Sequence, residues 1–375
     1  MELIWKSDIL GVAIVLFGLC VGSFLNVVIY RVPRGLSVND PKRSFCPSCG
    51  TTLPVWQNIP VLTWLIQRGK CRFCGAPIPV RYLLVEVLTG GLFFMVWRTF
   101  PMTSALLAMV LCTILVTVTF IDAEHQLIPI WWTSVGSLVG LLVGMMFSPV
   151  LLDLSDEVFV KSQARGWAGL VASAKGWMVG FCGLAMVVLL GKLAFGRFKL
   201  EFEKPEDWKL QEGAEDDPQL QFVIGKESFS WDDLFYRKSD CLRIEGHGFR
   251  VDGKKLEGRS MEIRRDEVII GEKIWKIEKL KSLEGQATKA VIPREAMGMG
   301  DPHLLGMIGA FLGWPAVVFV VLSSCFYAIL TALVGRIGFG RPLPFGPFLA
   351  LGALTWVFGG WKLWIWYTGI FQPTP

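Results

Sequence analysis

Eight apolar stretches separated by polar segments set the pattern along the chain: 8–30, 82–99, 104–121, 128–148, 168–195, 302–313, 315–335 and 345–368. Most reach the roughly 17–25 residues that an α-helix needs to cross a bilayer, so about eight crossings are expected. The sixth is short and Pro315 divides it from the seventh, so this pair reads either as one tight helical hairpin or as one broken helix. The first stretch is too long for the apolar part of a signal peptide, lacks a basic start and has no small-x-small cleavage site. A retained helix is expected there.

Two segments interrupt the apolar pattern. Residues 31–81 are polar, proline-rich and carry closely spaced cysteines, and residues 196–296 hold most of the acids of the chain mixed with nearly as many bases. Within the second, "LRIEGHGFRVDGKKL" and "MEIRRDEVIIGEKIWKIEKL" alternate apolar and polar positions with glycines between, the pattern of strands and turns. A small β-rich domain is expected, with "PEDWKLQEGAEDDPQ" at its head as a linker. The expected fold class is an all-α polytopic membrane protein with two appendages. Residues 1–30 form the first transmembrane helix, 31–81 a tetracysteine loop domain, 82–195 helices two to five, 196–296 the β-rich insert and 297–375 helices six to eight.

Composition agrees. Of 375 residues 53% are hydrophobic and 18% charged, against about a quarter charged in soluble domains, and the mean hydropathy is +0.49. The 16 Trp and 26 Phe add to the apolar excess. Net charge says little, because it sums loops on both sides of a membrane; the distribution of Lys and Arg is informative instead. The loop after the first helix carries Arg31, Arg34, Lys42, Arg43, Arg68, Lys70, Arg72 and Arg81 against Asp40, so it is expected in the cytoplasm. Eight crossings then put Arg336 and Arg341 on the same side and both termini outside. The 149–167 loop, with Asp153, Asp156 and Glu157 beside Lys161 and Arg165, suits the outer face. Nearly balanced charge in the insert argues against a nucleic-acid surface.

"CPSCG" and "CRFCG" place Cys46, Cys49, Cys71 and Cys74 as two C-x2-C pairs separated by 21 residues. Two such knuckles supply four thiolates to a tetrahedral Zn²⁺, with Gly50 and Gly75 allowing each tight turn. Four cysteines leave no open position, so the role is structural rather than catalytic. The alternatives are two disulfides or four unrelated thiols, and a cytoplasmic loop disfavours disulfides. Of the other cysteines, Cys20, Cys112, Cys182 and Cys325 lie in apolar stretches and read as small core residues; Cys241 and His247 are too isolated to suggest a site.

Acids at a membrane boundary are rarer and more telling. "TVTFIDAEHQLIPIWW" puts Asp122 at the end of the third helix, with Glu124 and His125 after it, and "AMGMGDPHLL" puts Asp301 at the start of the sixth. Both fall at the cytoplasmic boundary in the expected topology. Two carboxylates brought close cannot both ionise easily, so one keeps a proton while the other acts as base, an arrangement that activates water for attack on an amide. The alternative is that each is an ordinary helix-end acid, Asp301 favouring its helix dipole. Gly298 and Gly300 allow a neighbouring helix or an extended peptide to approach the backbone beside Asp301.

"GSFLNVVIYRVP", the cysteine knuckles, "RYLLVEVLTG", "FIDAEHQLIP", "AMGMGD" and "LPFGPFLALG" occur in an order that resembles the type IV prepilin leader peptidases, membrane aspartyl peptidases of the G-x-G-D type that include presenilin-like proteases. The resemblance covers nearly the whole chain except 196–290. It implies that Asp122 and Asp301 are the catalytic pair and that the substrates are type IV prepilin or pseudopilin precursors, cut at the cytoplasmic face of a bacterial inner membrane. It also implies that the new N-terminus is methylated from S-adenosylmethionine and that partners belong to pilus or type II secretion assemblies. No strand–G-x-G-x-x-G–helix unit is present, so methylation rests on the resemblance, and no donor-binding residue is named. Two positions depart from the family pattern: Ile130 stands where Asp is frequent after "LIP", and His303 where Lys is usual two residues after Asp301. A neutral His in place of a charged Lys changes the charge around Asp301; a helix-end hydrogen-bonding role is the plainer reading of His303. Glu124 and His125 read as solvated neighbours. Two rivals remain: a peptidase without methylation, and a zinc-stabilised scaffold without catalysis. The insert reads as an accessory domain.

Overall fold

The computed structural model describes residues 7–147, 166–195, 197–212, 220–225, 227–235, 240–256, 258–271, 273–293, 298–335 and 343–370. Asp153, Asp156, Glu157, Lys161 and Arg165 of the 149–167 loop, and Arg336 and Arg341, lie outside the described residues. The chain divides into two compact units, Met1–Met186 with Met299–Pro375, and Val187–Gly298.

The first unit is made of apolar helices, placed where the hydropathy pattern puts them. These are α1 (Asp8–Arg31), α2 (Arg81–Thr99), α3 (Met102–His125), α4 (Ile130–Phe147), α5 (Trp167–Phe195), α6 (Gly300–Leu312), α7 (Trp314–Val334), α8 (Gly346–Thr355) and α9 (Trp361–Ile370). A kink at Trp356–Gly360, where Gly359 has φ 130°, joins the last two into one run. Among the described residues six spans are long and apolar enough to cross a membrane: α1, α2, α3, α5, α7 and the α8–α9 run. The chain is a multi-pass membrane protein. α4 is apolar but shorter. The 13 residues of α6 span roughly 20 Å at 1.5 Å per residue, well under the ~30 Å of a bilayer core.

What lets α6 be short is its position inside the bundle. Asp301, Pro302 and every residue from Leu304 to Leu312 are buried, so neighbouring helices rather than lipid surround it. Small residues bring those neighbours in, as membrane helices require in the absence of a hydrophobic force between them. Gly176 of α5 lies against the Gly309 carbonyl of α6, with no room for a Cβ between them. Between α1 and α2 a Cβ at Gly18 would sit 2.9 Å from Gly90 Cα. At Gly313, φ 81°, the chain turns back, and Val317 of α7 returns within 2.9 Å of a Cβ position at Gly309. The sixth and seventh apolar stretches are therefore a tight hairpin. On α7, Leu322, Phe326, Ile329 and Leu333 are exposed, a stripe suited to lipid. Contrary to the core placement expected for all four span cysteines, only Cys112 is buried, while Cys20, Cys182 and Cys325 lie on outward faces, because an all-round apolar helix does not announce its inner face.

The second unit takes in the end of α5, from Val187, and the β-rich insert. β1 (Arg197–Glu212), β2 (Leu220–Ile224), β3 (Glu227–Ser230), β4 (Leu242–Val251), β5 (Lys254–Lys255), β6 (Ser260–Ile263), β7 (Glu267–Ile270), β8 (Lys273–Lys276) and β9 (Leu283–Pro293) form one antiparallel sheet in the order β3-β2-β1-β9-β4-β6-β7-β8, with β5 paired to β4. Alternation puts Leu242, Ile244, Phe249 and Val251 of β4 inside and Arg243, Glu245 and Arg250 outside. Trp208, Phe222 and Phe249 pack as a tilted aromatic group in the core, each burial worth roughly 1.5–3 kcal/mol. The expected linker at 205–219 is corrected in its first half. Residues to Glu212 belong to β1, where Trp208 pairs with Ile224 of β2 and Gly285 of β9; 213–219 lie outside the described residues. The first and last strands close on each other, Arg197 opposite Pro293.

Candidate functional site

α3 stops where Gln126 takes a left-handed conformation, φ 50° and ψ 37°, and returns its N–H to the Asp122 carbonyl at 2.8 Å. This C-terminal cap fixes the last turn that carries Asp122. Asp301 enters from the other direction, in the first turn of α6. The structure brings the two carboxyls, far apart in sequence, within electrostatic reach of each other, and they are only 5% and 7% exposed. Two acids so enclosed are unusual unless they share a task.

A third segment completes the site. The N–H of Gly346, at the start of α8, donates to Asp122 Oδ2 at 2.9 Å in a buried hydrogen bond. A Cβ at Gly346 would lie 2.6 Å from that same oxygen and 3.2 Å from Ile128 Cδ1, so glycine is what allows the backbone to reach the carboxylate. Ile128 also packs on Gly300, whose added Cβ would meet Ile128 Cβ at 2.6 Å. The close approach expected beside Asp301 is thus made by Ile128. Asp301 Oδ1 is buried without a protein hydrogen-bond partner, leaving an acceptor open at the centre of the site. Sequence alone gives Gly346, in the Phe-Gly-Pro run at 345–347, no role; a glycine-proline pair opening an apolar helix is the signal available there.

The flanking polar residues have other partners. Glu124 pairs with Arg81 at the start of α2, so it is tied down rather than simply solvated. His125 Nε2 stands 3.5 Å from Arg34 Nη1. His303 meets the edge of Phe181 at 4.9 Å between ring centroids, and Phe181 stacks on Trp177.

The cysteine knuckles form the second cluster. Gly50 and Gly75, at φ 69° and 74°, return their N–H groups to the carbonyls of Cys46 and Cys71 at 2.8 Å each. The Sγ atoms of Cys46, Cys49, Cys71 and Cys74 all lie within 4.8 Å of one another, Cys46 and Cys74 at 3.8 Å. A tetrahedral ion with bonds of ~2.3 Å needs sulfurs ~3.8 Å apart, so the four fit a zinc-sized ion.

Residues 16–100 match the model of the bacterial peptidase A24 N-terminal domain, and residues 280–333 that of the type IV leader peptidase family. The chain is 51% identical over 174 residues to a prepilin leader peptidase/N-methyltransferase of Myxococcus xanthus, covering 46% of this chain and 51% of that protein. With the one from Klebsiella pneumoniae it shares 34% identity over 204 residues, 51% of this chain and 81% of the relative. With that of Burkholderia pseudomallei strain 1026b it shares 27% over 380 residues, 94% and 85% of the two chains. No solved structure matches. On these matches the chain belongs to the prepilin leader peptidase/N-methyltransferase family.

Proposed function

We infer that this chain is a membrane aspartyl endopeptidase that removes the leader of type IV prepilin-like precursors and methylates the new N-terminal amine. The observation that carries the peptidase half is the buried meeting of Asp122 and Asp301, from the end of one helix and the start of another. One carboxyl keeps a proton while the other takes one from a water, whose oxygen attacks the scissile carbonyl. The first carboxyl then gives its proton to the leaving amine. The Gly346 N–H holds Asp122 in place throughout. A helical precursor must unwind at its cut site to present the amide, and the exposed Gly298 beside α6 suits entry of an extended segment.

Cys46, Cys49, Cys71 and Cys74 hold one structural Zn²⁺, whose binding energy folds the 31–81 loop. The fit of four sulfurs around one point supports this. S-adenosylmethionine supplies the methyl group. The membrane is the bacterial inner membrane, crossed about eight times with α4 and α6 as the short helices, and the site lies at the cytoplasmic face. Pilus or type II secretion components are the expected partners, and the insert is accessory.

Mass spectrometry of a prepilin co-expressed with this chain tests the reading. Loss of the leader together with one added methyl at the new N-terminus is the expected product. An intact precursor beside well-expressed, zinc-loaded protein would contradict it.

A further inference from the structure

The turn between α3 and α4 does more than join them. At its start Gln126 takes the left-handed conformation that ends α3 and returns its N–H to the Asp122 carbonyl at 2.8 Å. At its end the Pro129 carbonyl accepts the N–H groups of Trp132 and Thr133, at 3.0 and 3.3 Å, and so opens α4. Pro129 also has its own φ fixed by its ring. Held at both ends, the turn sorts its side chains by direction. Leu127 and Ile130 are each 48% exposed, whereas Ile128 between them is 8% exposed.

Ile128 points at two places that matter. A Cβ added to Gly300 would sit 2.6 Å from Ile128 Cβ and 3.4 Å from both its Cγ1 and its Cγ2, and these are the three nearest heavy atoms to that position. A Cβ added to Gly346 would sit 3.2 Å from Ile128 Cδ1. The branched root of the side chain therefore bears on the residue before Asp301, at the opening of α6. Its tip bears on the residue whose N–H holds Asp122. Glycine stands at both contacts, so Ile128 meets main chain and not a side chain that could swing away. A β-branched residue is itself restricted at χ1. The spacing it sets is accordingly stiff.

The chemistry depends on that spacing. Two carboxyls divide one proton between them only when they are close, and a ~1 Å misplacement of a reacting group costs on the order of 10²-fold. Burial of apolar area makes a weaker demand, because an apolar side chain of equal volume serves it nearly as well. The contacts at Gly300 use shape.

We propose that Ile128 is a positioning residue of the peptidase, a branched wedge between Gly300 and Gly346 that sets the separation of Asp301 from Asp122. It acts through the backbone on either side of it. This assignment rests on the peptidase reading above and adds what keeps the two acids in register. Two conservative changes separate shape from volume. Ile128→Val keeps Cβ and both γ carbons, the atoms facing Gly300, and loses only Cδ1. Ile128→Leu keeps the volume but moves the branch one carbon outward, away from Gly300.

Steady-state cleavage of a prepilin leader peptide by purified, zinc-loaded full-length protein tests this, with thermal unfolding of the same samples. Ile128→Leu should lower kcat at least about tenfold, with KM and the unfolding temperature unchanged. Ile128→Val should keep most of the wild-type kcat. Should Ile128→Leu fail to fold, Ile128→Met, also unbranched at Cβ, repeats the comparison with the same expected result. A residue that only fills space gives the reverse order, with Ile128→Leu near wild type and Ile128→Val weaker in step with its unfolding temperature. That reverse order, wild-type kcat in folded Ile128→Leu, or a loss confined to KM overturns the role of Ile128 and leaves the peptidase reading standing. No cleavage by the wild-type protein overturns both.

Discussion

Gly346→Ala is the most informative single change, because one atom separates the backbone of α8 from the Asp122 carboxylate. The new Cβ would lie 2.6 Å from Asp122 Oδ2 and 3.2 Å from its Cγ, closer than such atoms pack. Either α8 retreats or the carboxylate rotates, and both lengthen the 2.9 Å bond from the Gly346 N–H. A hydrogen bond to a charged acceptor is worth ~1.5–3 kcal/mol, which is roughly a 10- to 100-fold change at ~1.4 kcal/mol per tenfold. Displacement of a catalytic group by ~1 Å costs a similar factor. The expected kcat/KM for cleavage of a prepilin leader peptide in detergent is therefore roughly 10- to 100-fold down. The loss should be smaller than for removal of either carboxylate, and zinc content should not change. Wild-type cleavage by a folded Gly346→Ala protein would refute the role given to this contact.

Other expectations follow from separate parts of the molecule. Cys46→Ser or Cys71→Ser should lose the bound metal, measured by elemental analysis, and expose 31–81 to protease, because the four thiolates surround one point. Replacing 198–292 by a short flexible linker should retain measurable prepilin cleavage, because Arg197 and Pro293 already stand opposite each other in the sheet and closing a short loop there costs little. In the insert, the N–H groups of Ser282 and Lys281 bond to Asp252 Oδ1 at 3.0 and 2.7 Å and hold its carboxyl below the usual range. A depressed folded value stabilises above the unfolded one, ~3.9, and the contribution is lost as pH falls below that. The protection of the Lys281 and Ser282 amides, taken relative to intrinsic exchange at each pH, should fall as pH drops below ~3.9 in wild type and be low at every pH in Asp252→Ala.

Helix positions were legible because membrane spans leave a strong length-and-hydropathy signal. The cysteine spacing likewise foretold a cluster, since C-x2-C knuckles are local devices that carry their own turns. Facing was not legible. Cys20, Cys182 and Cys325 point outward, and nothing in a helix apolar on every side marks which side meets lipid. The linker reading failed at Pro205–Glu212 because acids and proline suggested a loop, while two partner strands, distant in sequence, pair with it. Asp122 and Asp301 could be matched by topology alone, through their common boundary. The Gly346 contact, 224 residues from Asp122, could not, because a backbone N–H leaves no residue-type signal of its own.

Whether Asp122 and Asp301 act together on the scissile amide is decided by the cleavage kinetics of Asp122→Asn, Asp301→Asn and the double substitution. An amide keeps the shape but cannot exchange the proton, and general acid–base help is worth ~10²–10⁴-fold. Each single change should lose at least that factor with insertion, zinc content and donor binding intact, and the double change should cost little more than either single one, as for residues acting as a unit. Full cleavage by either single variant, or losses that simply multiply in the double, would contradict it.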